Sequence, residues 1–156
     1  LKKQDGYKLA EVKGKASSAF ASNWENKTIE LGKNTFGWKS LKLNFGKKEV
    51  TMTVTETNGK SYELPFGYQQ WMTTTFDSYP PYSITPIDRF KGLEGPYYAS
   101  GSYAWISKEE LQLKVHYVNW VSALEITFRL DENGEVKLNV QTNYIKKPYS
   151  ISGKIK

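Results

Sequence analysis

The stretch Leu124–Val140, which reads LEITFRLDENGEVKLNV, decides the fold class. Apolar and polar residues alternate before and after Asp131–Gly134, and those four residues are typical of a turn. An alternating segment in a strand has one apolar face and one polar face. Two such segments joined by a tight turn therefore predict an antiparallel hairpin with one buried and one solvated face.

The same alternation recurs along most of the chain. It is clearest in Leu41–Phe45, Val50–Val54 and Leu111–Tyr117, and further strand candidates are Lys27–Leu31, Ser61–Phe66, Gln70–Thr75, Tyr98–Ile106 and Tyr149–Ile155. Tight turns such as Asn58-Gly59 separate them. The only helix candidate, Lys15–Trp24, lacks a clean helical stripe of apolar residues and fits a loop or linker equally well. A meander of this kind buries its apolar face under a second sheet or by closing on itself, and closure also removes exposed edges. We expect a mainly β fold, an antiparallel meander closed into a barrel of about 8–10 strands with little helix.

Composition bounds the domain organisation and the chemistry. The chain has 156 residues, enough for one sizeable core, with 38% hydrophobic residues, no cysteine and one histidine. These counts exclude disulfides, thiolate metal sites and sites with several histidines, so no metal and no cofactor is expected. The sequence does not start with Met, and we expect a piece of a longer protein, with residues 1–22 a linker or N-terminal extension and 23–156 one barrel domain.

The net charge of +6 first suggests an anionic partner such as nucleic acid. Only Arg89 and Arg129 are arginines, however, and the lysines are scattered along the strands. Phosphate recognition favours the guanidinium group, so the pattern indicates a solvated surface and no nucleic-acid partner. No apolar run is long enough for a transmembrane segment.

A catalytic centre is not evident in the sequence. No serine is followed three residues later by a lysine in a helical context, no Gly-x-Ser-x-Gly segment occurs, and His116 lies within a predicted strand. The acidic residues are spread over turns and strand ends, so no pair is expected to act on a glycosidic bond. We predict that the chain as given is not an enzyme and has no catalytic residue.

The segment from Phe76 to Tyr98 interrupts the strand pattern with prolines and aromatic residues. Aromatic side chains are costly to leave in water, so we expect this loop to lie across the barrel or against a partner. Together with aromatic residues of the predicted strands, it supplies the interface or ligand candidates: Trp71, Phe76, Tyr79, Tyr82, Arg89, Phe90, Tyr103, Trp105 and Tyr117.

Five segments, in order, resemble the C-terminal domain of bacterial serine hydrolases of the β-lactamase and penicillin-binding-protein-like group. They are Gly37–Phe45, Leu64–Gly67 with Trp71, Tyr79–Ile84, Gly101–Trp105 and Leu124–Leu130. The resemblance implies a lipocalin-like barrel whose catalytic serine and lysine lie in a separate N-terminal hydrolase domain. It also implies an extracytoplasmic location, periplasmic or secreted, in a bacterium, with the cell wall nearby.

Two hypotheses of function follow. The main one is a non-catalytic accessory domain that packs on or shields the N-terminal hydrolase domain of the same parent chain, with the loop Phe76–Tyr98 as its contact surface. The alternative is an independent binding module that holds a small apolar molecule or a glycan or cell-wall fragment in the barrel mouth. An open cavity with inward Trp105, Tyr103 and Tyr117 and an unpaired polar group would favour the alternative, and a filled interior would argue against it.

A third hypothesis is a small stand-alone esterase or lactamase. It requires that Ser83 or Ser102 find a base in space, since a serine hydroxyl is a weak nucleophile without one.

Overall fold

The computed structural model describes residues 9–77, 80, 96–118, 122–131, 133–143 and 145–156. Ten strands make up almost all of the regular structure, and the helix found in this part of the chain is one 3₁₀ turn, Ala19–Asn23. The strands are β1 (Thr28–Leu31), β2 (Trp38–Phe45), β3 (Glu49–Glu56), β4 (Ser61–Tyr68), β5 (Met72–Phe76), β6 (Tyr97–Trp105), β7 (Glu110–Tyr117), β8 (Ser122–Leu130), β9 (Glu135–Thr142) and β10 (Tyr149–Ile155).

The strands form one sheet that closes into a barrel. Their order is β4-β3-β2-β1-β10-β9-β8-β7-β6-β5, and β4 also pairs with β6. Nine strands therefore form a closed ring, while β5 is hydrogen-bonded to β6 beside it. The prediction of a mainly β, closed, antiparallel barrel with little helix is confirmed, with one parallel contact at the point of closure.

The hairpin at Leu124–Val140 has the predicted form. Strands β8 and β9 pair in register from Leu130 opposite Val136 onwards, and their inward residues are buried. A carboxylate oxygen of Asp131 accepts hydrogen bonds from the backbone N–H groups of Asn133 and Glu135, both at 2.9 Å. Gly134 has φ +78°, a left-handed conformation that other residues adopt only with strain. The turn residues thus fix the register that buries the apolar face.

Closure takes place along one edge of β6, which has three successive partners. Strand β5 pairs with it from Tyr97 to Gly101, and β4 pairs with it in parallel at Ser102 and Tyr103. Beyond β4, Lys15 exchanges two backbone hydrogen bonds with Trp105, at 2.9 and 2.8 Å. A segment before the first strand therefore completes the edge that the barrel strands leave open.

Residues 9–16 lie across this closure. The indole N–H of Trp71 donates to the carbonyl of Leu9 at 3.0 Å, and the phenol of Tyr68 donates to the carbonyl of Gly14 at 2.9 Å. The backbone N–H of Val12 donates to the hydroxyl of Ser102, which is buried although it faces away from the barrel interior. The division of the chain at residues 22 and 23 stays a prediction, and residues 9–16 are packed against the barrel.

Side chains fill the middle of the barrel. The inward residues of each strand alternate with outward ones and form one continuous buried cluster. We call the end of the barrel that contains Trp105 and Phe128 the lower end. The opposite end is the upper end, and strand pairing places Trp38, Tyr62, Phe76, Tyr97 and Tyr117 there.

Trp24 plugs the lower end. It follows the 3₁₀ turn, is fully buried, and stacks on Trp105 with ring centroids 5.5 Å apart and planes 15° apart. It also contacts Phe128 across the barrel, at a centroid distance of 6.3 Å. Burial of a whole indole is among the largest single contributions that an apolar side chain makes to a core.

We expect Gly101→Ala to destabilise the barrel by about 1–3 kcal/mol, because the new methyl group overpacks the closure. A Cβ at Gly101 would lie 2.3 Å from the carbonyl oxygen of Pro65 and 2.7 Å from the Phe66 ring. Gly46→Ala is the control, since its Cβ would meet Glu49 at ordinary contact distances of 3.4 and 3.7 Å. Urea unfolding gives the free energy of unfolding of both variants. Equal effects of the two substitutions would contradict the close approach of β4 and β6.

We expect Trp24→Ala to lower the free energy of unfolding by about 3–5 kcal/mol, as truncation of a fully buried aromatic residue does. The control is Ile106→Ala at the same end, where the side chain is 42% exposed and about 0.5 kcal/mol or less is expected. Thermal or urea unfolding of both variants checks this, and a small effect at Trp24 would show that the plug is dispensable.

Candidate functional site

The predicted site residues are distributed over three places in the structure. Tyr103 and Trp105 lie in the lower end, Phe76 and Tyr117 lie in the upper end, and Trp71 lies outside the barrel against residues 9–16. The structure therefore does not bring Trp105, Tyr103 and Tyr117 together around one cavity. Tyr79, Tyr82, Arg89 and Phe90 lie outside the described residues, as does most of the loop between Phe76 and Tyr98.

The lower end is filled from within. Besides the stacked Trp24 and Trp105, the phenol of Tyr103 donates a hydrogen bond to the carbonyl of Ala16 at 2.8 Å. Burial, with smaller contributions from Tyr68 and Glu49, raises the pKa of Tyr103. A cavity of about 700 Å³ lies outside this plug. It is lined by Gly14, Lys15, Ser17, Ser18, Ala19, Phe20, Trp105, Ile106, Ser107 and Lys108.

The upper end contains a cluster of aromatic rings around Phe76. The ring of Phe76 lies 5.4 Å from that of Tyr62, 6.0 Å from Tyr97 and 5.6 Å from Tyr117, measured between centroids. Strands β4, β5, β6 and β7 each contribute one of these residues, all on inward positions. Tilted ring contacts of this type stabilise the cluster beyond the contribution of apolar burial alone.

A cleft opens onto this cluster because β5 separates from β4. Strand β4 pairs with β3 on its other side, and the described residues contain no ladder between β4 and β5. The space between them is a cavity of about 660 Å³. We call it the β4–β5 cleft, and it is lined by Lys60, Ser61, Tyr62, Glu63, Thr74, Thr75, Phe76 and Asp77.

Hydroxyl groups line the inner part of the upper end. Burial, followed by the charge of Glu56, raises the pKa of Tyr62 far above its usual value, and the nearby Trp38 side chain partly offsets this. Burial, followed by Tyr62 and Glu56, raises the pKa of Tyr117 in the same direction. Both phenols therefore keep their protons at physiological pH and can donate hydrogen bonds. The hydroxyl of Thr142, on β9 at the same end, is buried and has no hydrogen-bond partner among the residues that the structure describes.

Four residues described above at the upper end were not among the predicted site residues: Tyr62, Tyr97, Glu56 and Thr142. The sequence pattern did indicate the orientation of Tyr62. It lies two and four residues before Leu64 and Phe66 in a predicted strand, so its side chain points to the same inward face. No local sequence signal indicated Glu56 or Thr142, because the position of these residues at the upper end depends on how distant strands pair in the barrel.

The described residues do not assemble a catalytic centre. The hydroxyl of Ser102 accepts from the backbone of Val12, and the hydroxyl of Ser100 is hydrogen-bonded to Thr73 at 2.6 Å although His116 lies opposite Ser100 on β7. His116 instead packs against the Trp71 ring, 5.2 Å away in an edge-on arrangement. In the described ranges no group of three His, Cys, Asp or Glu residues is placed to hold a metal ion. Ser83 lies outside those ranges.

The fold has known counterparts among solved structures. A fatty acid binding protein of Schistosoma mansoni, solved in complex with arachidonic acid, aligns with a TM-score of 0.54 and 10% identity over 86% of this chain and 96% of its own. The fluorescent protein UnaG aligns with a TM-score of 0.52 and 10% identity over 86% of this chain and 98% of its own. No family model and no curated protein sequence matches the chain.

These comparisons correct the family suggested by the sequence. The resemblance to the C-terminal domain of β-lactamase and penicillin-binding-protein-like hydrolases is wrong, because the matching barrels are those of a fatty acid binding protein and UnaG. The short segments that suggested it are mostly alternating strands, which any barrel with one apolar face contains. The N-terminal hydrolase domain as a partner loses its support. The extracytoplasmic location stays an untested prediction, and no helix in the described ranges has the length and apolar character to cross a bilayer.

Burial, with a smaller contribution from Lys114, lowers the pKa of His116. The His116 imidazole is therefore protonated at a higher pH in the unfolded chain than in the folded chain. As a result, the folded state loses stability as pH falls below the ordinary histidine pKa of about 6.5. His116→Gln lacks this titration. We expect the difference in unfolding free energy between wild type and this variant to be larger at about pH 7.5 than at about pH 5. Urea unfolding at both pH values measures it, and a difference that grows toward acid would refute the direction.

Proposed function

We propose that this chain is a binding module that takes one small, largely apolar molecule at the β4–β5 cleft. The observation that carries the proposal is the separation of β5 from β4, which opens a cavity of about 660 Å³ onto the rings of Tyr62 and Phe76. Ligand sites in proteins are concave and combine apolar surface with polar groups, and this cleft combines the rings of Tyr62 and Phe76 with hydroxyl and charged side chains.

The position of the cleft also supports this assignment over a site in the middle of the barrel. The middle is occupied by buried aliphatic side chains, including Leu113, Ile126 and Leu138, all fully buried. The rings of the upper end, in contrast, border a cavity that reaches the surface between Lys60 and Asp77. A ligand could therefore contact Phe76 and Tyr62 without displacing the core.

The fold adds a second line of support. The fatty acid binding protein with which the barrel aligns was solved with arachidonic acid, so a barrel of this architecture is compatible with binding an apolar molecule. At 10% identity the likeness concerns the fold, and the ligand of this chain has to be inferred from its own residues. We therefore propose binding and no catalysis for the described part of the chain.

The test uses N-phenyl-1-naphthylamine, an uncharged probe that fluoresces in apolar surroundings. We expect saturable binding of about one probe per chain. Thr74→Trp fills the cleft, because Thr74 lines it from β5, and should weaken binding at least tenfold, which is about 1.4 kcal/mol. The matched control is Thr51→Trp, a threonine on the outward face of β3 that does not line the cleft, and it should change the affinity less than about twofold.

Any other outcome of this binding test would count against the proposal. No saturable binding to the folded protein would overturn the binding function for this class of ligand. Binding that survives Thr74→Trp and is lost in Ile106→Lys would place the site at the lower cavity that Ile106 lines. Circular dichroism of each variant shows whether the fold is retained, and Thr75→Trp provides a second way to fill the cleft if Thr74→Trp does not fold.

A further inference from the structure

The charges around the β4–β5 cleft differ from those expected for a site that binds a carboxylate. Two of the residues that line it are acidic, Glu63 and Asp77, and one is basic, Lys60. At the same end of the barrel, the half-buried carboxylate of Glu56 at the end of β3 adds negative charge near the phenols of Tyr62 and Tyr117. A carboxylate in the cleft would therefore meet more negative than positive charge from the described residues around it.

The polar groups inside the upper end are neutral. The phenols of Tyr62 and Tyr117 stay protonated because burial and Glu56 both disfavour their ionised forms. They can donate hydrogen bonds to an oxygen, but they carry no charge to offset that of an anion. Transfer of an unpaired carboxylate into such surroundings costs far more than transfer of an amide or a hydroxyl group, which needs only hydrogen bonds.

The net charge of the whole chain does not compensate at this place. The charge is +6 overall, and it comes from lysines distributed over the outward faces of strands and over turns. Exposed charges more than about 10 Å away are largely screened at physiological salt, so the charged residues nearest to the cleft have the largest effect on a bound head group. Among the described residues, the local balance at Glu56, Glu63, Asp77 and Lys60 therefore has the largest effect on which head group is accepted.

We infer that the β4–β5 cleft selects an apolar molecule with an uncharged hydrogen-bond acceptor, such as a primary amide or an alcohol, over the corresponding carboxylate. The apolar part packs on Phe76 and the Tyr62 ring, and the polar head accepts a hydrogen bond from the phenol of Tyr62, the tyrosine that lines the cleft. This inference rests on the proposed binding function and specifies its ligand class. It also separates this chain from the aligned fatty acid binding protein, whose bound arachidonic acid is a carboxylic acid.

The experiment compares decanamide with decanoate, which share an apolar chain and differ in the charge of the head group. Both are titrated, below the concentrations at which they aggregate, against protein loaded with N-phenyl-1-naphthylamine at about pH 8, where decanoate is ionised. We expect decanamide to displace the probe at a concentration at least about tenfold lower than decanoate. The preference should diminish at high salt, because screening weakens repulsion of the carboxylate.

A variant pair separates the local charge from a general effect. Glu56→Gln removes the charge near the two phenols, keeps an amide oxygen available to the side chain of Asn58, and should improve decanoate binding more than decanamide binding. Glu49→Gln is the control, since Glu49 stands at the other end of the same strand and acts on Tyr103. It removes an equal charge and should leave the ratio between the two ligands unchanged.

The outcomes distinguish this inference from the proposed function. If decanoate displaces the probe as well as decanamide does, and Thr74→Trp weakens both, the cleft binds ligands but the inferred selectivity is wrong. If Glu49→Gln changes the ratio as much as Glu56→Gln, the selectivity does not arise at the upper end and the inference is likewise overturned. If neither ligand nor probe binds at all, the proposed function itself fails.

Discussion

The barrel depends on one constraint, which is that a strand edge can pair with one partner at each residue. The free edge of β6 is divided among β5, β4 and Lys15, and each takes only part of it. Because β4 reaches β6 at just Ser102 and Tyr103, the rest of β4 diverges from β5 and the cleft opens between them. The closure of the fold and the candidate ligand site are therefore two results of the same pairing.

Much of this fold follows from local sequence patterns. Alternation and turn residues identify all ten strands and the hairpins that join neighbours, because both signals act within a few residues. The closure does not follow from them. The parallel contact of β4 with β6 and the bonds of Lys15 join distant residues, and Trp24 fills the lower end from a segment whose composition gives no clear strand or helix pattern. Such placements depend on the whole barrel being assembled.

The site was predictable to a lesser degree than the fold. Phe76 and Tyr117 were identified as aromatic residues that need burial, and they do contact each other at the upper end. What could not be deduced is that Tyr62 and Glu56 would join them, since strand register and barrel curvature bring these residues together. The mistaken family resemblance has a related cause. Alternating segments report the requirement for one apolar face, which unrelated barrels share, and say little about ancestry or ligand.

The pairing of β1 with β10 has a consequence for how the chain acquires its structure. Ile29 lies opposite Ile155, so the ring joins residues 126 positions apart, and this contact cannot form until β10 has emerged from the ribosome. Until then the edges of β1 and β9 are unpaired and the inward apolar residues are incompletely covered. Contacts between distant residues slow folding and prolong the exposure of strand edges to other chains. The nascent barrel is consequently most prone to aggregation just before its last strand is added.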